Sequence, residues 1–382
     1  MDAVKQRRRP ARPGDRLGCV ATGDDAARRR NEELVGHLES AGTLRDAAVA
    51  DAFRAVPRHL FLPGRPLDEV YEDSAIMTKV GERGLPLSSS SQPTIMAIML
   101  QLLRPRPGDR VLEIGAGTGY NAALMAHLVG AAGHVVSVDI DPELADQARA
   151  NLASAGAVVE VAVADGAEGW PAAAPYDRVI VTASADDLAP AWAEQLAGGG
   201  RLVLPLTLAG PGQLCSAFAR QDGQLAASEL CLCGFMPMRG DMAPAQPGAD
   251  YELQRWLGEA GRPLGHQVPL TDLRTGFETW LALTAWGYVQ ARPRGDEHPA
   301  FGLRDDHGVA LVVAGGGGHD VVAYGDGDLA ARRLVAAHQV WSRDRPSLDQ
   351  LRIVAYPTGS APALRDALVV RRPRFTFVVR SA

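Results

Sequence analysis

From residue 107 to 207 the apolar positions come in two alternating rhythms. Short continuous apolar runs, "DRVLEIGA", "GHVVSVDID", "AVVEVAVAD", "YDRVIVTAS" and "GRLVLPL", are separated by stretches of helical spacing, "GYNAALMAHLVG", "PELADQARANLASAG" and "LAPAWAEQLAGG". Runs of the first kind predict buried strands, and the longer periodic stretches predict helices. Their alternation predicts a parallel, doubly wound α/β sheet of the Rossmann-like kind. "GQLCSAFARQDGQLAASELCLCGF" then predicts two antiparallel strands with a glycine-containing turn, added at the sheet edge.

Upstream, "ARRRNEELVGHLESAG" and "LRDAAVADAFRAV" predict helices, the first ending at Gly42 and the second at Pro57. "HLFLP" reads as a short extended piece. "SQPTIMAIMLQLLRP" predicts a helix with Pro93 in its first turn, where the missing N–H costs nothing, and Ser91 is the candidate N-cap. Downstream, "MRGDMAPAQPGAD" breaks the periodicity. Beyond it, "WLALTAWGY" and "DGDLAARRLVAAHQVWSRD" predict helices. "GVALVVAGGGGHDVVAYG" predicts a glycine-linked hairpin, and "QLRIVAYP" and "RFTFVVR" predict strands. The expected organisation is a disordered basic tail over 1–25, an α/β domain over 26–240, a linker over 241–250 and a smaller C-terminal α+β domain over 251–382.

Composition narrows the class. Apolar content of 46% and charged content of 22% are ordinary for a globular protein. No apolar run reaches the ~20 residues of a membrane span, and the basic N-terminus lacks the apolar core of a secretory signal. A cytoplasmic location and no membrane partner are expected. The formal charge of −6 and a basic cluster confined to "KQRRRPARPGDR" give no nucleic-acid footprint. Cys19, Cys215, Cys231 and Cys233 form no ligand spacing, so no metal is expected and the thiols read as packing.

The chemistry concentrates at "VLEIGAGTGYNAAL". Glu113 ends a strand, Gly115, Gly117 and Gly119 form a loop, and a helix begins near Tyr120. Glycine lets backbone turn tightly and approach a ligand. The dinucleotide fingerprint would place a glycine where Tyr120 stands, and no Gly-Lys-Ser/Thr follows, so neither pyrophosphate nor triphosphate cradle is supported. The Glu-x-Gly-x-Gly-x-Gly pattern instead resembles motif I of S-adenosylmethionine-dependent methyltransferases. Asp139, followed by Ile140, ends the next strand, where a carboxylate can accept ribose hydroxyls. Asp165, followed by Gly166, ends the strand after that, where the adenine amino group would donate to it.

The stretch from about 30 to 210 resembles the protein L-isoaspartyl O-methyltransferases. "AFRAVPRHLFLP", "VYED", "SQPTIMA", "PGDRVLEIGAGTGYNAALMA", "ADGAEGWP" and "YDRVIVTASA" match that family's landmarks in order. The resemblance implies methyl transfer from S-adenosylmethionine to a peptide carboxylate, with S-adenosylhomocysteine as product. Ser91 matches the family's active-site serine and would orient the acceptor. A carboxylate is already ionised at neutral pH, so no strong general base is required. Thr182 and Ser184 are further candidate acceptor contacts. The family usually reads Gly-Gln-Thr-Ile-Ser-Gln-Pro where this chain has Leu87, Ser88, Ser89, Ser90, Ser91, Gln92 and Pro93; Ser88, Ser89 and Ser90 are therefore candidates for the acceptor-facing loop. That substitution, together with the C-terminal extension, resembles a branch acting on ribosomally made, modified peptides such as lanthipeptides. The implied partner is a modified precursor peptide, whose aspartate would be methylated, cyclised to succinimide with loss of methanol, and opened to isoaspartate. The C-terminal domain would recognise this peptide, and a monomer is expected. The alternatives are isoaspartyl repair in damaged proteins and a non-catalytic peptide-binding scaffold.

Overall fold

A buried arginine organises the N-terminal third of the chain. In the computed structural model, which describes residues 15–81, 84, 86–208, 212–221, 224–244, 251–274, 276–295, 300–315, 318–346, 348–362 and 368–381, helix α1 spans Asp15–Ser40 and α2 Ala47–Ala55. The expected tail is thus helical from Asp15 onward, and its first fourteen residues lie outside the described set. The expected extended piece "HLFLP" is instead a 3₁₀ turn, Arg58–Phe61, followed by the one-turn helix α3, Leu67–Val70. That turn aims Arg58 inward, where it is fully buried. Its Nη1 donates to the carbonyls of Val70 and Glu72 at 2.8 and 3.2 Å. Its Nη2 donates to the Ser74 carbonyl, the Ser90 hydroxyl and the Ser91 carbonyl at 3.2, 3.4 and 3.0 Å.

Strands β1 (Ile76–Val80) and β2 (Pro86–Ser90) form an antiparallel pair, with Ile76 opposite Ser90 and Lys79 opposite Ser88. Ser88–Ser90 are therefore strand rather than the expected loop, and Ser91 lies just past its end. Pleating buries Ser88 and Ser90 and leaves Ser89 half-buried. Helix α4 follows at Pro93–Leu103 with Pro93 in its first turn. Its N-cap is Gln92, not Ser91 as expected. The capping acceptor is remote: Asp73 accepts from the Thr94 amide at 2.8 Å and from the Thr94 hydroxyl at 2.7 Å. A carboxylate from "VYED" thus replaces the local hydroxyl, which frees Ser91 from the capping role.

The alternating segment forms β3 (Arg110–Ile114), α5 (Tyr120–Val129), β4 (His134–Asp139), α6 (Pro142–Ser154), β5 (Glu160–Val163), β6 (Tyr176–Val181), α7 (Pro190–Glu194) and β7 (Leu196–Thr207). α7 is shorter than its periodicity predicts because β7 already begins at Leu196, in register with Tyr176. β7, β6, β3, β4 and β5 are parallel in that order, as a doubly wound α/β fold requires. β8 (Gln213–Gln221) and β9 (Gln224–Cys233) add antiparallel strands, with Cys215 opposite Cys231.

β9 is not the edge that the sequence predicts. After α8 (Tyr251–Leu257) comes a five-stranded antiparallel sheet of β10 (Arg262–Val268), β11 (Tyr288–Ala291), β12 (Ala300–Arg304), β13 (Gly308–Gly315) and β14 (Gly318–Gly325), with helices α9 (Leu270–Arg274), α10 (Phe277–Thr284) and α11 (Asp328–Asp344). The chain then returns to the large sheet. β15 (Leu351–Pro357) pairs with β9, followed by β17 (Phe375–Ser381) and β16 (Leu368–Arg371), completing ten strands. The segment expected as one C-terminal unit is therefore divided between two sheets. The physical reason is apolar: Leu351, Ile353, Phe377 and Val379 share a core with Leu225, Ala227, Trp192, Met238 and Met242. Of the expected linker, Gly240–Met242 is a 3₁₀ turn and 245–250 lie outside the described residues. No helix among the described residues is long and apolar enough to cross a membrane.

Replacing the Arg58 guanidinium with an apolar chain would leave four backbone carbonyls without this donor. Unpaired buried acceptors cost roughly 1–3 kcal/mol each before relaxation or hydration. Arg58→Met is expected to lower the unfolding free energy by about 3 kcal/mol in denaturant titration, with Arg58→Lys recovering only part because an ammonium has three donors.

Candidate active site

The carboxyl ends of β3, β4 and β6 open onto a cavity of about 380 Å³ whose far wall is the serine strand. At its floor the glycine loop leaves β3. Gly115, Gly117 and Gly119 all have positive φ, at 100°, 51° and 85°, and Gly119 is the N-cap of α5. At Gly117 the geometry bears on a ligand: a Cβ there would have only Ser88 Oγ and the Ser89 carbonyl nearby, both at 3.8 Å. The loop thus brings bare backbone to the space facing the serines. Thr182, at the end of β6, lines the cavity, but its hydroxyl lies 3.0 and 2.8 Å from the Ile114 and Gly115 carbonyls. Its proton is committed to holding the loop.

Glu113 is fully buried and also lines the cavity. It accepts from Asn121 Nδ2 at 2.8 Å and from the Ser137 hydroxyl at 2.5 Å. Burial raises its pKa to about 7, against the opposing pull of these two hydrogen bonds. Tyr120 is buried beneath the loop, its ring 5.3 Å from that of Phe61 and 6.2 Å from that of Phe53.

Asp139 is buried at the tip of β4, where its Oδ2 accepts from the Gly117 amide at 3.1 Å and its Oδ1 from the Asp141 amide at 3.0 Å. Two cations reach this corner. Arg239 lies 3.5 Å from Asp139 and 3.4 Å from Asp141. Lys79 lies 2.7 Å from Asp141 and 2.7 Å from Glu143, tying the serine hairpin to α6. Neither Arg239 nor Lys79 was predicted from the sequence. The visible signal was rarity for Lys79, one of only two lysines, and for Arg239 its place in the aperiodic "GFMPMRGDMA".

Among the predicted residues, Ser88, Ser89, Ser90, Ser91, Glu113, Gly115, Gly117, Tyr120, Asp139, Ile140, Gly166 and Thr182 all line the cavity. Gly119, Asp165 and Ser184 do not. Gly119 instead packs against Leu152 and Ala148 of α6. Asp165 is turned aside by two backbone donors: it accepts from Ala167 at 2.9 Å and from Asp241 at 2.8 Å, so it faces the 240–241 turn rather than the cavity. Ser184 is buried, and its backbone exchanges 2.8 and 2.9 Å hydrogen bonds with Met236 and Met238. That pairing lays the 234–239 segment over the end of β6. Ser88 accepts from the Thr78 hydroxyl at 3.0 Å. With Ser88 and Ser90 held by Thr78 and Arg58, the half-buried Ser89 and Ser91 are the members of the run with polar surface to offer. Cys233 lines the cavity as well; Cys215, Cys231 and Cys233 are free thiols.

Residues 29–243 match the family model described as protein-L-isoaspartate(D-aspartate) O-methyltransferase. The protein-L-isoaspartate O-methyltransferase of Methanopyrus kandleri is 41% identical over 230 residues, covering 60% of this chain and 99% of that protein. Protein-L-isoaspartate O-methyltransferase 2 of Archaeoglobus fulgidus is 45% identical over 196 residues, covering 50% of this chain and 85% of that one. A solved protein-L-isoaspartate O-methyltransferase aligns with TM-score 0.54 and 28% identity, covering 85% of this chain and 96% of its own. That alignment extends beyond the family-matched residues.

An acid whose folded pKa is raised contributes stability that is full below its ordinary value, here 4.5, and lost as pH rises through about 7. From pH 5 to pH 8 the wild-type chain is expected to lose about 2 kcal/mol of unfolding free energy that Glu113→Gln does not lose. Denaturant titrations of both proteins at the two pH values check this; identical losses would contradict it.

Proposed function

The chain belongs to the protein-L-isoaspartate(D-aspartate) O-methyltransferase family, and on that premise we propose that it methylates the carboxylate of an isoaspartyl residue in a polypeptide. It is an S-adenosylmethionine-dependent carboxyl O-methyltransferase. The observation that carries the acceptor reading is the arrangement of two walls about one cavity, bare glycine backbone with a strand-end carboxylate on one side and the serine strand on the other.

The residues present suit the methyl donor. The exposed backbone at Gly117 gives it close approach, and the buried Asp139 carboxylate retains lone pairs for ribose hydroxyls beyond its two backbone donors. Gly115, Gly117, Asp139, Ile140 and Gly166 would hold it, with Glu113 fixing the loop beneath. When bound, it supplies a methyl group activated on a sulfonium. The chain's own work is to receive an acceptor carboxylate, orient it and keep water away. Ser91 would hold that carboxylate by donating its hydroxyl proton, and Ser89 would add a second donor. Neutral hydroxyls orient an anion without the ion pair that would blunt its nucleophilicity. Positioning of this kind can supply much of the acceleration when no proton has to move.

A second reading, methylation of an ordinary aspartate in a ribosomally made and ring-constrained peptide, is favoured by one observation. The strand Pro86–Ser90 presents Leu87, Ser88, Ser89 and Ser90 where the family usually has Gly-Gln-Thr-Ile, so the acceptor wall differs in shape and in donors. The breadth of the solved relative's alignment supports the isoaspartyl reading instead, since a C-terminal extension does not by itself set the modified-peptide branch apart.

Matched peptides carrying isoaspartate or aspartate, each linear or ring-closed, separate the two. Faster methyl transfer to linear isoaspartate, followed with a labelled donor, is the expected outcome; preference for ring-closed aspartate would establish the second reading. Ser91→Ala is expected to lower kcat about 10–100-fold with donor affinity unchanged.

A further inference from the structure

The turn between β16 and β17 carries Arg372 and Arg374, and both reach into the catalytic unit. Arg372 lies 3.7 Å from Asp186, and its guanidinium sits 5.1 Å from the centre of the Trp286 ring. The backbone amides of Arg374 and Phe375 donate to the buried Asp187 carboxylate at 2.8 and 3.1 Å. From this fixed point the Arg374 side chain extends to Asp241, with Nη2 2.6 Å from Oδ2 and 3.4 Å from the carbonyl.

Asp241 sits in the turn that follows Arg239, the last residue of this segment to line the cavity. Its amide donates to Asp165 at 2.8 Å. Gly240, with φ of 72°, lies so close to the Asp165 carboxylate that a Cβ would collide with it. Arg239 points the other way, to Asp139 and Asp141. Met238 and Met242 bracket the turn and share a core with Phe375 and Phe377 of β17. Three consecutive residues thus connect the C-terminal turn to Asp165, just outside the cavity, and to Asp139, which lines it.

We propose that the β16–β17 turn is a positioning element of the methyl-donor pocket, in which Arg374 holds Asp241 and thereby fixes Arg239 against Asp139. This assigns the last strands a role in donor binding rather than in acceptor recognition, and it rests on the reading that Asp139 faces the donor. The Arg374–Asp241 pair is part-exposed, so its contribution is moderate and weakened by salt.

The test uses the full chain, with calorimetric binding of S-adenosylhomocysteine, KM for donor and acceptor peptide measured separately, and thermal unfolding as a check on folding. Arg374→Glu is expected to raise the S-adenosylhomocysteine Kd and the donor KM about tenfold, leaving the acceptor KM within about twofold. Arg374→Lys should stay within about threefold of wild type, and Asp241→Asn should weaken donor binding about threefold; these two keep the test open if the charge reversal fails to fold. The exchanged pair Arg374→Glu with Asp241→Arg should recover most of the affinity, which a merely structural role would not produce. An unchanged donor Kd in Arg374→Glu, a rise confined to the acceptor KM, or no recovery in the exchanged pair would overturn the proposal. Asp139→Asn distinguishes the levels. If it leaves the S-adenosylhomocysteine Kd unchanged, the donor-site reading fails and the proposal with it. If it weakens binding and Arg374→Glu does not, the positioning role alone is wrong.

Discussion

A guanidinium sealed in protein, with no carboxylate within ion-pair distance among the described residues, is the constraint on which the acceptor side depends. Arg58 gathers the carbonyls of Val70, Glu72, Ser74 and Ser91, and these belong to segments with almost no regular structure of their own. Burial pushes the pKa of this guanidinium down from its ordinary value, with Tyr120, Asp73 and Tyr71 opposing, yet arginine remains charged under such pressure. The Nη1 and Nη2 donors, fixed in one plane, then act as a template for the surrounding backbone, while the buried Nε has no partner among the described residues. The serine strand is placed by this template at one end and by pairing with β1 at the other. A hydroxyl meant to orient an acceptor must be held to a fraction of an ångström, and short loops alone do not provide that.

On the donor side the organising feature is charge. Asp139 and Asp141 stand two residues apart at a strand tip, and Arg239 and Lys79 approach them from separate segments. The serine hairpin, the β4 tip and the 234–243 crossover therefore meet at one electrostatic junction. The two walls of the cavity are mechanically linked, so disturbance of either is felt by the other.

The parallel sheet was legible in the sequence because continuous apolar runs and helical spacing alternate without interruption from 110 to 207. The glycine loop and Asp139 were legible because their spacing is set by strand–turn–helix geometry. Other features required the third dimension. The serines looked like a loop because strand propensity is weak for serine; pairing with β1 overrides it. Ser91 looked like a cap because capping is usually local, whereas Asp73 arrives from nineteen residues before Gln92 in sequence. Asp165 has a strand-end position that suggests a cofactor contact, and one of the two amides that hold it, that of Asp241, comes from a turn distant in sequence. The division of the C-terminal segment between two sheets was hidden because an apolar strand does not announce which edge it will join.

That division has a consequence for how the molecule is assembled. β9 and β15 are neighbours in the sheet, yet the whole five-stranded sheet and its helices lie between them in the chain. During synthesis the Rossmann-like strands emerge first and can associate, but the outer side of β9 stays an open row of amides and carbonyls until residues near 357 have left the ribosome. Closing so long a loop is slow, and an uncovered strand edge invites pairing with another nascent chain. The interval between translation of β9 and arrival of β15 is thus the stage at which this protein is most exposed to aggregation, and slowing elongation there would lengthen it.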